Sequence, residues 1–153
     1  MIIEATISKY KKNNVKIFIA VLLVLSVWCI YDGYLNKDWI EEHTNEDGTP
    51  AAYLVVNKKA PPFLFAGALL LAGYFYMIKD IKLTANENEI VLGKGKKIDY
   101  DSIQKINKTY FDSKGYFVIT YQQPDGKESD CKLSSRKYDN LSAVLDHLIS
   151  KIS

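Results

Sequence analysis

The sequence predicts a membrane-anchored α+β chain, in which a hairpin of two transmembrane helices is followed by a small antiparallel β-barrel or sheet capped by one C-terminal amphipathic helix. Three observations lead to this fold class. Residues 60–78 contain no formal charge, residues 17–35 form a second apolar segment, and the period of the apolar residues changes after residue 79. The 153 residues leave room for one soluble domain beside the two spans.

The segment 60–78 is the strongest of these signals. At about 1.5 Å per residue, a helix of this length approaches the thickness of a bilayer's hydrocarbon core. Lipid cannot satisfy free backbone groups, so the segment is predicted to be helical. Pro61 and Pro62 are then expected in its first turn, where N–H groups have no acceptor within the helix, so that the missing N–H groups of the prolines cost no hydrogen bond.

Small side chains in this segment predict close contact with another helix. Ala68 and Ala72 stand four residues apart, with Gly67 and Gly73 beside them. Small residues at this spacing let two helix backbones approach closely. The partner is either the first helix of this chain or a helix of a neighbouring subunit.

The first apolar segment follows a basic one. Residues 1–16 carry four lysines against one glutamate, and Ser26 is the only polar residue from 17 to 31. A secretory signal has the same pattern, but no small-residue cleavage site follows, so residues 17–35 are predicted to be an uncleaved helix. Asp32 lies one turn from the end of this helix. We therefore expect its carboxylate to be hydrated at the membrane interface rather than to act as a functional group within the membrane.

Residues 36–59 form an acidic connector with five acidic residues against three lysines. The positive-inside rule therefore predicts that both termini lie in the cytoplasm and that the connector lies outside. Residues 52–56 fit either a short strand or a helical lead-in. His43, with Glu42 and Glu46, suggests a metal site, but one imidazole in a solvated loop is a weak ligand set, and we expect no metal there.

Residues 79–153 are predicted to form the soluble domain, with about six strands and tight turns. Alternating segments and turn residues indicate strands near 81–83, 89–92, 98–106, 108–111, 116–122 and 128–133. A helical stripe that begins at Leu141 indicates a final helix, with Asp139 or Asn140 as its N-cap. This helix is expected to cover the open face of the sheet. His147 lies opposite the stripe and is expected in solvent.

The remaining chemistry-bearing residues point away from catalysis. Cys29 and Cys131 are expected to be buried, reduced thiols, because no CxxC or histidine pair accompanies them. We find no nucleophile elbow, phosphate loop or His-Glu metal helix, so no enzyme activity and no cofactor is expected. The net charge of +2, with scattered lysines, argues against a nucleic-acid partner.

One pattern carries a family resemblance. Ile98, Tyr100, Ile103 and Ile106 follow an I-x-Y-x-x-I-x-x-I pattern within the short strands that precede the final helix. This arrangement resembles a bacterial pleckstrin-homology-like (PH-like) domain. Two membrane helices before such a domain, with the basic loop 134–138 near its end, are similar to the YcxB-like family. The sequence departs from that family in having serines at 134 and 135, where proline is usual, and a longer acidic connector.

The resemblance implies a protein of the bacterial cytoplasmic (inner) membrane and supplies no known catalytic residues, and we expect an accessory or adaptor protein. A PH-like domain offers exposed strand edges to a partner segment, so we expect protein–protein interaction within a larger membrane complex. One alternative is a sensor of anionic lipid surfaces. Its expected headgroup contacts are Lys79, Lys82, Lys94, Lys96 and Lys97. A second alternative is a homo-oligomeric, channel-like assembly. The expected partners are the lipid bilayer and other membrane subunits or further copies of the chain.

Overall fold

The computed structural model describes residues 2–93 and 95–152. It is an α+β fold with two long apolar helices and two small antiparallel sheets. The elements in chain order are β1 (Ile3–Thr6), α1 (Lys9–Ile30), a π-helical turn (Tyr31–Leu35), α2 (Lys37–Glu42), α3 (Ala52–Ile78), β2 (Lys82–Ala85), β3 (Glu89–Leu92), β4 (Lys96–Asp99), a 3₁₀ turn (Tyr100–Ser102), β5 (Ile103–Asn107), α4 (Phe111–Lys114), β6 (Tyr116–Gln122), β7 (Glu128–Ser134) and α5 (Leu141–Ile152). The chain divides into a helical unit, residues 13–76, and a β unit formed by the described residues before and after it.

The β unit contains a four-stranded sheet, in the order β1-β2-β3-β4, and a three-stranded sheet, in the order β5-β6-β7. Alternation places one face of each strand in a shared core, as in β6, where Phe117, Ile119 and Tyr121 are buried. Helix α5 adds Leu141, Val144, Leu145 and Leu148 to that core. The strands predicted near 81–83, 89–92, 116–122 and 128–133 and the amphipathic helix are therefore present. The single strand predicted over 98–106 is instead divided between β4 and β5 by the 3₁₀ turn. Residues 108–111, also predicted as a strand, follow the end of β5 at Asn107 and lead into the short helix α4.

The first strand of the β unit lies before the helical hairpin. β1 pairs antiparallel with β2, with Ile3 opposite Ala85 and Thr6 opposite Lys82. Ala5 is completely buried in this pairing. The sequence pattern places the start of the domain at residue 79 and leaves open whether residues 1–9 pack on it. In the structure, the hairpin is an insertion between two neighbouring strands of one sheet.

Short, hydrogen-bonded connections join the strands to the long helices. The Ser8 hydroxyl accepts from the Lys11 N–H at 3.2 Å and donates to the Arg136 carbonyl at 2.6 Å. The Asp139 carboxylate accepts from the Lys9 N–H at 3.0 Å, so it caps α1 rather than α5. Asn140 precedes α5 at a positive φ of 61°, and its amide donates to the Glu4 carbonyl.

His147 is buried, which contradicts the expectation that it lies in solvent. Its Nε2 is 2.8 Å from the Asn86 carbonyl oxygen, and only 6% of the residue is exposed. The Tyr100 hydroxyl donates to the same carbonyl at 2.8 Å. The turn between β2 and β3 covers this side of α5, and the sequence periodicity of the helix does not reveal that contact.

In the helical unit, α1 and α3 run antiparallel and meet along a narrow seam. Buried and half-buried residues recur at alternating three- and four-residue steps, which is the spacing found where two α-helices pack in a left-handed coiled-coil geometry. The seam residues of α1 are Val15, Ile19, Leu22, Ser26 and Cys29, and those of α3 are Leu54, Pro61, Leu64, Ala68, Leu71 and Phe75. Residues 52–56 open α3, so they form the helical lead-in rather than a strand.

Candidate functional site

The outer surfaces of α1 and α3 are apolar and exposed. Both helices are long and apolar enough to cross a membrane, yet only 6% and 17% of the residues in their most apolar stretches are buried. Large side chains are prominent on these surfaces, including Val24, Val27 and Trp28 on α1 and Phe63, Leu70 and Tyr76 on α3. A core helix of a water-soluble protein would bury such side chains.

The two prolines lie in the interior of α3, so the prediction that they occupy the first turn is wrong. The helix begins at Ala52, more than two turns earlier, because the charged residues 58 and 59 continue it instead of ending it. Since Pro61 and Pro62 have no N–H, the carbonyls of Asn57 and Lys58 lose their usual helical donors.

Helix α1 and the π-helical turn that follows it contact α3 near the two prolines. The Tyr34 hydroxyl donates to the Lys58 carbonyl at 3.0 Å, and the Ser26 hydroxyl donates to the Pro61 carbonyl at 3.3 Å. Gly33 is buried with its backbone against residues 57 and 58. A side chain at residue 33 would place its Cβ 3.1 Å from the carbonyl carbon and oxygen of Asn57. The prolines and the π-helical turn of Tyr31–Leu35 therefore form one packing unit.

Replacing Gly33 with alanine is expected to destabilise the helix pair by about 1–3 kcal/mol, because the new Cβ meets helix backbone that cannot rotate away. Gly73→Ala is the matched control, since a Cβ at residue 73 would have no neighbouring atom within 4 Å. The measurement is the thermal midpoint of helical circular dichroism in detergent. Equal midpoints for the two variants would contradict this packing.

The four residues predicted to pack helices divide into two pairs. Ala68 is buried, and a Cβ at Gly67 would lie at an ordinary contact distance of 3.5 Å from Leu22 Cδ1. Ala72 and Gly73 are exposed. The first pair therefore faces α1 of the same chain, and the second lies on the exposed surface of α3.

Asp32 and His43 make local contacts. The Asp32 carboxylate accepts from the Trp28 indole N–H and from the Asn36 amide. The His43 ring stacks on Trp39 with centroids 3.9 Å apart, and its Nδ1 is 2.9 Å from the Trp39 carbonyl. Among residues 2–93 and 95–152, no group of three or more His, Cys, Asp or Glu side chains is arranged to hold a metal ion.

The lysines proposed to meet anionic headgroups mostly face acidic partners. Lys82 pairs with Glu4 at 2.5 Å, Lys97 with Glu89 at 3.0 Å, and Lys79 with Asp80 at 3.8 Å. Lys96 lies over the Tyr121 ring, and a hydrogen bond to that tyrosine raises the pKa of the lysine. Lys94 falls outside the described residues. Because acidic partners neutralise part of their charge, the described lysines attract an anion less strongly than the sequence suggests.

A different basic cluster is not predicted by the sequence. Lys114, Lys132 and Arg136 line one pocket of about 390 Å³ together with Ser113, Tyr116 and Ser134. These residues come from α4, β6, β7 and the loop after β7. Only Ser134 and Arg136 gave a sequence signal, as members of the basic loop 134–138. The register of β6 and β7, which brings the others to them, is not visible in the sequence.

Both cysteines are free thiols, and both are half-buried rather than fully buried. Cys131 lies in β7, opposite Ile119. Burial raises the pKa of the Cys131 thiol, and the positive charges of Lys96 and Lys137 offset part of this effect. The Cys131 thiol is thus held in its protonated, less nucleophilic form near neutral pH.

No family model, no curated protein and no solved structure matches this chain.

Proposed function

We propose that this chain is a two-span protein of the bacterial cytoplasmic membrane that presents a PH-like β unit in the cytoplasm as a non-catalytic accessory or adaptor subunit. The observation that carries the proposal is the exposed apolar surface on both α1 and α3. A cleaved signal sequence would account for a helix near the start of the chain but not for the second helix.

The strand topology supports a hairpin with both ends on one side of the membrane. β1 precedes α1, β2 follows α3, and the two strands pair directly. Only residues 7–8 and 79–81 connect these strands to the helices. The lysine-rich flanks lie at this end of the hairpin and the acidic connector at the other, so the positive-inside rule favours a cytoplasmic β unit.

The arrangement of the β unit supports the PH-like assignment. A four-stranded and a three-stranded antiparallel sheet, with a C-terminal amphipathic helix packed against their core, agree with the fold that the sequence resemblance implies. We therefore retain the YcxB-like family as the proposed relationship.

Two surfaces are suited to partners. The strand β7 is seven residues long, forms a regular ladder with β6, and has no second strand partner among the described residues, so a partner segment can add to its edge. By contrast, β5 carries a bulge between Ile103 and Lys105, which disturbs its pairing. In the helical unit, the exposed small residues Ala72 and Gly73 offer a close-packing surface to another transmembrane helix.

The test is purification of the tagged chain from its native membrane in mild detergent, followed by native mass measurement. We expect an assembly larger than the 17.4-kDa chain that survives high salt and is lost in Ala72→Leu. Leu69→Ile, also exposed on α3, is the control and should leave the assembly intact. A mass equal to the single chain with bound anionic lipid would favour the lipid-sensor alternative. Integer multiples of the chain mass would favour the homo-oligomer.

A further inference from the structure

We propose that the pocket lined by Ser113, Lys114, Tyr116, Lys132, Ser134 and Arg136, here called the anion pocket, binds the phosphate group of a small phosphomonoester. This inference goes beyond the proposed adaptor function and does not depend on it. The pocket shares none of the five lysines that the sequence suggested for headgroup contact.

The fold brings the pocket together at one end of the three-stranded sheet. In the β6–β7 ladder, Tyr116 stands opposite Ser134 and Val118 opposite Lys132. Their neighbours Phe117 and Leu133 point into the core, so these side chains project from the outer face of the sheet. The register therefore fixes the positions of the β-strand members of the pocket.

A tight turn attaches α4 to the same place. The Gly115 carbonyl accepts from the Ser135 N–H at 2.8 Å and from the Ser135 hydroxyl at 3.0 Å. Gly115 has a positive φ of 68°, and a Cβ there would lie 2.3 Å from the Ser135 hydroxyl oxygen. Glycine thus permits the close approach that places Ser113 and Lys114 beside the loop containing Arg136.

Two tyrosine rings hold two of the cations in place. The Lys132 Nζ lies 3.7 Å from the centroid of the Tyr116 ring, and the Lys114 Nζ lies 4.7 Å from that of Tyr110. The two rings are themselves 5.6 Å apart. A cation–π contact orients an ammonium group without neutralising its charge. The pocket therefore holds ordered positive charge before any ligand arrives.

The charge of the anion pocket is uncompensated among the described residues. No carboxylate lines it, whereas Lys82, Lys97 and Lys127 elsewhere on the β unit each pair with an aspartate or glutamate. A phosphomonoester carries up to two negative charges, whereas a carboxylate carries one. The three cations of the pocket therefore match the charge of a phosphomonoester better than that of a carboxylate.

The donor geometry also fits phosphate. Arg136 is the only arginine in the chain, and its planar fork of N–H donors matches the oxygens of a phosphate group. The hydroxyls of Ser113 and Ser134 supply further donors. A volume of about 390 Å³ accommodates a phosphate together with a small organic group.

Two sources present this chemistry, a soluble phosphate ester and a phospholipid with a terminal phosphomonoester. The experiment uses the full chain in phosphatidylcholine nanodiscs. Calorimetric titration with glycerol 3-phosphate tests the soluble source. For the lipid source, phosphatidic acid is incorporated into the nanodiscs, and the chemical shift of its phosphomonoester is measured by phosphorus NMR.

Lys132→Gln and Arg136→Gln are each expected to weaken binding by about tenfold or more, since each removes a charge-assisted hydrogen bond to the phosphate. Lys127→Gln, which removes another exposed lysine, from the β6–β7 turn, is the matched control and should bind as the unaltered chain does. Tyr116→Leu should weaken binding, and Tyr116→Phe should restore it because the ring that orients Lys132 is kept.

Binding of glycerol 3-phosphate that is lost in the pocket variants would support a soluble ligand. Binding of phosphatidic acid alone, with the same dependence on Lys132 and Arg136, would support a lipid ligand. The proposal is overturned if neither probe binds the unaltered chain. It is also overturned if the two pocket variants bind as tightly as Lys127→Gln.

Discussion

Ala5→Asp is expected to unfold the β unit while α1 and α3 remain helical. Residue 5 is fully buried opposite Leu83, and the substitution places a carboxylate in the core without a partner. An unpaired buried charge costs several kcal/mol, which is a large part of the roughly 5–15 kcal/mol that stabilises a typical domain. The effect would be surprising if the domain began at residue 79, because residue 5 would then lie outside it.

Hydrogen exchange of peptides from residues 82–92, measured by mass spectrometry in detergent, reports this outcome directly. Protection of these amides should be lost in Ala5→Asp and kept in Glu4→Gln. Glu4 is the adjacent residue on the exposed face of β1, where its ion pair with Lys82 contributes little. Unchanged protection in Ala5→Asp would mean that β1 is not part of the sheet.

Leu70→Arg is expected to prevent stable membrane insertion of the hairpin. Leu70 lies near the middle of the uncharged segment and is 76% exposed. In lipid, an arginine at the centre of a span costs about 2.5–3.5 kcal/mol. In water, the same substitution at an exposed helix position would be harmless. The variant therefore distinguishes the two environments, because it is destabilising in lipid and without effect in water.

The assay is the fraction of chain that remains in membranes after alkaline carbonate extraction. Leu70→Phe, which keeps the position apolar, should remain in the membrane fraction. Gln122→Arg, which adds the same charge at an exposed position of β6, should remain there also. If Leu70→Arg fractionates with these two controls, the surface of α3 does not face lipid.

The long apolar helices and α5 were predictable because each carries a strong signal over many residues. The two spans stand out by composition, and the apolar stripe that begins at Leu141 repeats through three turns of α5. Helix ends were less predictable. The charges at 58 and 59 suggested a boundary there, yet α3 continues outward through them to Ala52 and so encloses both prolines.

The features that sequence alone did not reveal depend on contacts between distant residues. β1 has only four residues, too few for a periodic signal. The 75 residues from Ile7 to Ile81 separate it from its partner strand β2. His147 is buried by the turn at Asn86, which no helical pattern encodes. The anion pocket depends on strand register and on two lysine–tyrosine contacts. Each is a product of tertiary packing.

In the proposed topology, a membrane hairpin is inserted between two strands of one cytoplasmic sheet. The most direct test is labelling of single cysteines by a membrane-impermeant maleimide in intact cells, with Cys29 and Cys131 replaced by alanine. Ile2→Cys, Glu46→Cys and Lys127→Cys report on β1, the connector and the β6–β7 turn, and all three positions are exposed. We expect that only residue 46 is labelled from outside, and that residues 2 and 127 are labelled together once the membrane is permeabilised. Labelling of residues 2 and 127 from opposite sides would rule out this topology.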